Sequence, residues 1–401
     1  MKIKVGVIFG GATVEHEVSI ISAIQAMDHM KQDKYEIIPI YIDKDRQWYT
    51  GKLLTDISLY KDFEDLKRYA KPVVLYNKKG KFYLQSLGFF KRNVAELDIA
   101  FPIVHGNNAE DGTLAGYLDT IGIPYVGSHV LGAAMGQDKV VMKQVLDAAD
   151  LPIVDYTWFY DTEYQENPDR ITNNVKKLGF PVIVKPATLG SSVGIVFVKE
   201  EAKLDEAIRE AMEYDTKIVV EKAVENLVEV NESVLGDYEY QSLSVIEEVM
   251  STDEFLTYKD KYLGNGKGSK KTGGSKGMAS TDRIIPARIN EKLQKQVQEI
   301  AIETFRALNL SGLCRIDFLI DKKNEKVYVN EPNTIPGSLS FYLWEPTGKP
   351  YTELLDDMIT IAIKDYRKKN QKVTSFDTNI LNNFDGIKGV KGLKGMKTKL
   401  K

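Results

Sequence analysis

Arg315-Ile316-Asp317 and, a short polar stretch later, Glu331-Pro332-Asn333 bring a guanidinium, two carboxylates and an amide into one small piece of chain. Carboxylate and amide oxygens are hard donors. They suit Mg2+, which takes one or two carboxylates and completes its shell with water and substrate phosphate. Residues 313–320 and 326–332 are apolar, β-branched runs of strand length, and Asp321-Lys322-Lys323-Asn324-Glu325 between them has turn composition, so a hairpin is expected. Pairing Ile320 with Lys326 would set Asp317 opposite Val329, Arg315 opposite Glu331 and Leu313 opposite Asn333. Side chains alternate along a strand, so Arg315, Asp317, Glu331 and Asn333 would share one face. A buried strand reading Leu-Cys-Arg-Ile-Asp-Phe-Leu-Ile does not carry Arg and Asp without a compensating ligand, which weighs against an ordinary surface hairpin.

Other segments carry phosphate chemistry. Val184-Lys185-Pro186 ends a strand-like run, and Gly190-Ser191-Ser192-Val193-Gly194 is a small-residue loop whose backbone N–H groups could nest an anion while Lys185 adds a point charge. No Walker A pattern occurs in the chain. Lys217-Ile218-Val219-Val220-Glu221-Lys222-Ala223-Val224 is an apolar strand ending in charge, an edge where backbone and carboxylate could read an adenine amino group, and Glu229 beyond it could meet ribose hydroxyls. Gly10-Gly11-Ala12-Thr13-Val14-Glu15 follows the first strand and opens a helix; Glu15 is either a helix cap or a carboxylate for a substrate ammonium. The lack of G-x-G-x-x-G weighs heavily against a dinucleotide turn. Lys261 and Tyr262 stand at the start of a Gly/Lys-rich loop, 263–281, whose composition suits a cover over polyphosphate as well as a plain solvated loop.

The elements that must position these residues follow from periodicity. Strand-like runs at 4–9, 36–42, 99–104 and 125–126 alternate with helical stretches at 17–29 and 114–120, the rhythm of a parallel α/β layer. This first domain is expected to span 1–127. A small α+β unit, 128–225, would hold a helix at 139–149, a strand pair within 181–198 and a helix near 204–212. A larger α+β domain, 226–370, would hold a helix at 291–308, the hairpin and a last helix at 351–368. Residues 371–401 form a basic Gly/Lys-rich tail that cannot build a core.

At 401 residues the chain exceeds one ordinary core and calls for more than one domain. A net charge of −3 gives no electrostatic pull toward nucleic acid or membrane, so partners must be read from sites. Cys314 is the single cysteine, which excludes an internal disulfide and favours a cytoplasmic protein. The apolar start is too short to span a bilayer and reads as a first strand, without an export signal.

Taken in order, these segments resemble the D-alanine:D-alanine ligases of the ATP-grasp superfamily, over residues 4–364. The matching motifs are Gly10-Gly11 with Glu15-His16-Glu17-Val18-Ser19, then Phe101-Pro102-Ile103-Val104-His105-Gly106, Glu110-Asp111-Gly112-Thr113, Pro124-Tyr125-Val126-Gly127-Ser128, Asp138-Lys139, Lys185-Pro186, Gly190-Ser191-Ser192-Val193-Gly194, Glu221-Lys222, Lys261-Tyr262, Arg315-Ile316-Asp317 and Asn333-Thr334-Ile335-Pro336-Gly337. The resemblance implies an ATP-grasp fold with an N-terminal parallel α/β domain, a small central α+β lid and a larger C-terminal α+β domain. It implies ligation of two D-alanines through an acyl phosphate for peptidoglycan precursors, in a protein that is usually a homodimer. Lys139, Lys185 and Ser192 would meet ATP phosphates, Glu221, Lys222 and Val224 the adenine, and Glu229 the ribose. Asp317, Glu331 and Asn333 would hold two Mg2+ ions, or Mn2+ in their place. Glu15 would pair with the first substrate's ammonium in a network with Ser191 and Tyr262, Arg315 would stabilise the tetrahedral oxyanion, and Lys261 the transferred phosphate. The retained Tyr262 implies an amine nucleophile, not a hydroxy acid.

His105, Gly337 and Ser338 fall at substrate-binding positions of the resemblance, and there the chain departs from the family. A Ser-Leu pair usually follows the Pro-Gly and receives the second substrate's carboxylate. Here the chain reads Gly337-Ser338-Leu339-Ser340-Phe341-Tyr342-Leu343-Trp344; ungapped counting puts Tyr342 at the Ser position, while a shifted loop would offer Ser338 or Ser340. An ATP-grasp ligase with another acceptor is therefore the alternative, and a non-catalytic nucleotide-binding protein the more distant one.

Overall fold

The computed structural model describes residues 2–190, 193–249 and 283–375. Ser191, Ser192, Lys261, Tyr262, the 263–281 loop and 376–401 of the tail lie outside the described residues.

The first sheet contains β1 (Ile3–Gly10), β2 (Tyr35–Ile42), β3 (Trp48–Thr50), β4 (Lys71–Lys78), β5 (Lys81–Ser86), β6 (Asn93–Leu97) and β7 (Ile99–Ile103), in the order β6-β5-β4-β3-β2-β1-β7. Only β1 with β2 and β1 with β7 pair in parallel. This is the expected α/β core, with β1 and β7 almost wholly buried as strands covered on both faces are. The remainder is an antiparallel meander through 48–97 that periodicity did not announce. Its strands are short and broken by lysine-rich turns; at Lys79-Gly80 both residues have positive φ, 55° and 77°, as a two-residue primed hairpin requires. The stretch at 125–126 forms one isolated parallel bridge, Ala100 with Tyr125, and no strand.

The second sheet, β8 (Tyr156–Tyr160), β9 (Val182–Pro186), β10 (Val196–Val198) and β11 (Lys217–Lys222), is antiparallel throughout, in the order β10-β9-β11-β8. One face packs Val182, Val184, Ile218 and Val220 against the amphipathic helices Pro168–Leu178 and Leu204–Met212. The third sheet runs β15 (Arg283–Ile284), β14 (Glu247–Val249), β12 (Leu227–Gly236), β16 (Gly312–Asp321), β17 (Lys326–Asn333), with β13 (Gln241–Leu243) also on β12. The Glu291–Ala307 helix covers one face through Val297, Ala301 and Phe305, and the Lys139–Ala148 helix adds Met142 and Leu146 to that same core. A further core joins Val5, Val7 and Phe9 to Trp344 and to Tyr351, Leu354, Leu355, Met358 and Ile359 of the Tyr351–Asn370 helix, so chain start and chain end share one interior. Among the described residues no helix is long and apolar enough to cross a membrane.

Candidate active site

The hairpin β16/β17 forms, in a register different from the expected one. Asp321 pairs with Lys326, and its carboxylate accepts from Lys323 N at 3.0 Å and Asn324 N at 3.1 Å, tightening the turn by one residue. That slip alone would turn Glu331 and Asn333 to the opposite face. A bulge between Asp317 and Phe318 leaves Asn330 unpaired and restores the phase, so Asp317 faces Glu331 and Arg315 faces Asn333. The four side chains do share a face, through two offsetting shifts.

On that face Arg315 grips Asp317 with two parallel bonds, Nε to Oδ1 at 2.7 Å and Nη2 to Oδ2 at 2.8 Å. Burial works against the guanidinium charge, but Asp317 more than offsets it and raises the Arg315 pKa. Asn333 Nδ2 donates to Asp317 Oδ2 at 3.1 Å. Glu331 is ion-paired with Lys139 at 3.1 Å, and Lys139 also donates to Leu189 O at 2.8 Å. Asp138 caps the Lys139–Ala148 helix through Val140 N and Val141 N, which fixes where Lys139 emerges. Lys185, at the end of β9, reaches Glu221 at 2.6 Å and Asn330 Oδ1, on the bulge, at 3.3 Å. The site therefore joins two sheets and one helix start.

The expected adenine edge is only partly as read. Glu221 is buried, and its carboxylate turns to Lys143 and Lys185, which outweigh the burial that would raise its pKa and hold it at about 2. A purine could meet the backbone here, but the carboxylate is engaged elsewhere. Lys222 Nζ donates to Gly179 O and Phe180 O, both at 3.0 Å; Val224 lies half-buried between β11 and β12; Glu229 on β12 is near enough to Lys185 to raise its pKa.

Glu15 occupies the N-cap position of the His16–His29 helix without a side-chain capping hydrogen bond, and it is buried. A methyl added at Gly106, whose φ is +80°, would meet Glu15 Oε2 at 3.2 Å, so only glycine lets the 105–112 loop pass this close. His105 is buried with both ring nitrogens engaged, Nδ1 2.6 Å from Ile335 O and Nε2 3.0 Å from Ser22 Oγ, and burial lowers its pKa. It anchors the loop after β17 instead of facing open space. Glu110, given no separate role by its motif, accepts from Gly106 N at 2.8 Å and Ile335 N at 3.3 Å; burial, then the charges of Glu15 and Glu331, push its pKa up to about 8.

In the loop after β17, Ser338 N donates to Ser22 Oγ at 2.9 Å and Ser338 Oγ to Gln25 Oε1 at 2.8 Å, turning this serine toward the first helix. Tyr342 takes the other side, its hydroxyl donating to Glu247 at 3.2 Å under the Arg283 guanidinium, 4.3 Å from its ring centroid, in the electrostatic neighbourhood of Arg315. Of the three candidates, Tyr342 is the one beside the hairpin's charged face. Gly337 opens a turn in which Ser338, Leu339 and Ser340 all have φ near +50°, a conformation costing an L-residue roughly 1–2 kcal/mol. Ser340 Oγ is buried and makes no hydrogen bond among the described residues. Ser340→Gly should therefore raise the unfolding free energy by about 1–2 kcal/mol, read from urea melts. A drop would show that the hydroxyl holds the turn.

Two family models cover most of the chain: the D-Ala D-Ala ligase N-terminus matches residues 4–128 and the C-terminus residues 145–360. The chain belongs to the D-alanine–D-alanine ligase family. The D-alanine–D-alanine ligase of Thermosipho melanesiensis is 40% identical over 379 residues, covering 94% of this chain and 98% of its own, and that of Bacillus cytotoxicus is 38% identical over 381 residues, covering 92% and 98%. Among solved structures, the VanG D-Ala:D-Ser ligase of Enterococcus faecalis aligns with a TM-score of 0.75 at 29% identity over 90% of this chain and 100% of that one. The D-alanine–D-alanine ligase of Coxiella burnetii aligns at 0.73 and 29%, over 92% and 96%. The fold is thus the ATP-grasp fold of these ligases.

For a D-alanine–D-alanine ligase the donor set can be tested against a divalent cation. Among the described residues no group of three or more His, Cys, Asp or Glu could enclose a metal. What β16 and β17 present is two carboxylates and one amide on a single face, each carboxylate paired with a cation that an incoming phosphate could attract. An open oxygen set of this kind fits Mg2+ bound jointly with ATP. Periodicity could flag these residues because their types clash with their strand. It could not flag the partners that Lys143, Arg283, Glu247 and Glu110 find, since these lie far off in the chain or on other elements.

Proposed function

We propose that this protein is an ATP-dependent ligase that joins two D-alanines, supplying the dipeptide for peptidoglycan precursors in the cytoplasm. The observation that carries the reading is the single face holding Arg315, Asp317, Glu331 and Asn333, with Lys139 and Lys185 converging on it, in a chain of this family. Glu15 would receive the first D-alanine's ammonium. That substrate's carboxylate oxygen bonds to the γ-phosphorus as the bond to ADP breaks, and Lys139 and Lys185 would hold the phosphate oxygens in line. Asp317, Glu331 and Asn333 would hold two Mg2+ ions, which supply charge neutralisation of the phosphates. The second D-alanine's amine then attacks the acyl phosphate carbonyl, Arg315 meets the developing oxyanion, and inorganic phosphate leaves as the amine gives up a proton. Ser192 would add to the phosphate loop, with Ser191, Lys261 and Tyr262 completing the site, in a protein that acts as a homodimer.

The test is Mg2+-dependent phosphate release from ATP on addition of D-alanine, with the dipeptide identified by mass. No D-alanine-stimulated release at millimolar substrate would overturn the substrate assignment. A second reading, in which the acceptor is another amino acid, is favoured by Tyr342 standing under Arg283 where the family places a serine. A panel of D- and L-amino acids as acceptors, with D-alanine as donor, separates the two.

A further inference from the structure

We propose that Lys143 is a positioning residue for ATP: by occupying one oxygen of Glu221, it leaves Lys185 a net positive charge to offer a phosphate. The inference rests on the reading of Lys185 as a phosphate contact. Lys143 lies one helical turn after Lys139 on the Lys139–Ala148 helix, so the two project on the same side. Lys139 reaches Glu331, while the Lys143 side chain is fully buried behind it. Its ammonium is 3.0 Å from Glu221 Oε1, and Lys185 Nζ is 2.6 Å from Oε2. The Tyr156 ring lies 5.6 Å from the Lys143 ammonium and completes its surroundings.

A buried Glu221–Lys185 pair alone would be neutral, with little field to attract a polyphosphate. Adding Lys143 sets two lysines against one carboxylate, although burial lowers the Lys143 pKa against the pull of Glu221, and Lys185 is the more accessible end, 7% exposed against 0% for Lys143. Asn330 Oδ1 is the other hydrogen-bond partner of Lys185 and fixes its direction, while Glu331 and Glu229 stand near enough to raise its pKa. Three buried charges are a poor way to stabilise a fold, since desolvation consumes what attraction returns. Their value is in the field they hold ready.

The test measures Kd for ATP and for AMP, each with Mg2+, by titration calorimetry on four chains: the unaltered protein, Lys143→Met, Glu221→Gln and the double variant. Lys143→Met should weaken ATP roughly 10–100-fold, the range for a displaced or neutralised contact, and change AMP by less than about threefold. Glu221→Gln, in which Lys185 keeps its charge without Lys143, should bind ATP within about threefold of the unaltered protein, and the double variant should recover to the same range. A packing defect would weaken AMP and ATP alike and would not be rescued. If Lys143→Met fails to fold, Glu221→Gln still decides: a parallel loss for AMP and ATP means that the carboxylate reads adenine and overturns the inference. Lys185→Met is the control on the underlying reading. If it leaves ATP no weaker relative to AMP, Lys185 does not meet phosphate; if it does discriminate and Lys143→Met does not, only the role of Lys143 falls.

Discussion

Asp317→Asn is expected to lower D-alanine-dependent phosphate release by about 10²- to 10⁴-fold at saturating ATP, with little change in overall shape. The substitution keeps the volume and one acceptor but removes the charge that faces Arg315 through two bonds of 2.7 and 2.8 Å. It also puts an NH2 where the guanidinium and Asn333 Nδ2 both donate, so one donor must turn away. Two functions are lost together: a hard anionic ligand for the divalent cation, and the brace that aims Arg315 at the oxyanion. Raising Mg2+ can restore only the first. The measurement is kcat against Mg2+ concentration, with partial recovery expected at high Mg2+ and a plateau still well below that of the unaltered enzyme. Activity within about fivefold of the parent at ordinary Mg2+ would remove Asp317 from the site.

The second large effect concerns stability. Glu232 sits on β12 opposite Ile316, on the face away from Asp317, among Val230, Val234, Cys314 and Phe318 under the Glu291–Ala307 helix. It is fully buried, and burial, only partly countered by Gln298, pushes its pKa up from 4.5 to about 8. The folded protein therefore keeps a proton at neutral pH that the unfolded chain releases. Stability from this group is complete below about pH 4.5 and is lost as pH rises through about 8, a swing on the order of 5 kcal/mol. Glu232→Met fills the same space without an ionisable group, so its unfolding free energy should fall less between pH 5 and 8.5 and exceed that of the parent at the upper end. Urea melts of both proteins at the two pH values check this. Parallel slopes would mean that Glu232 titrates normally.

The large elements were legible because their periodicity is strong: β1, β2, β7, the helices at 291–307 and 351–370, and the hairpin itself fall close to where their apolar spacing puts them. The meander at 48–97 was not, because three- to eight-residue strands, two of them joined by a Lys-Lys-Gly-Lys turn, have the composition of exposed loop. The hairpin shows a subtler limit. Types and alternation identified four residues for one face, yet the turn is a residue tighter than expected and Asn330 bulges out, and neither detail is visible in composition. Charge partners were least legible. Glu221 looked like a strand-end carboxylate facing solvent or ligand, and what turns it inward is a lysine 78 positions earlier in the chain. The choice among Ser338, Ser340 and Tyr342 stayed open in the sequence for a similar reason: the first helix, more than 300 residues away, draws Ser338 to Gln25, while Tyr342 stands beside the charged face.

The interior shared by β1 and the Tyr351–Asn370 helix sets a timetable for synthesis. Val5, Val7 and Phe9 are made first, Ile20 to Met27 of the first helix follow at once, and the residues that complete the same interior, Tyr351 to Ala362, are among the last. At ordinary elongation rates a nascent chain carries that interior incomplete for roughly 20–70 s. During this interval the first helix shields the opening strands while its own outer side waits for the Tyr351–Asn370 helix, and a ribosome that stalls before residue 351 releases a product whose shared interior is unfinished.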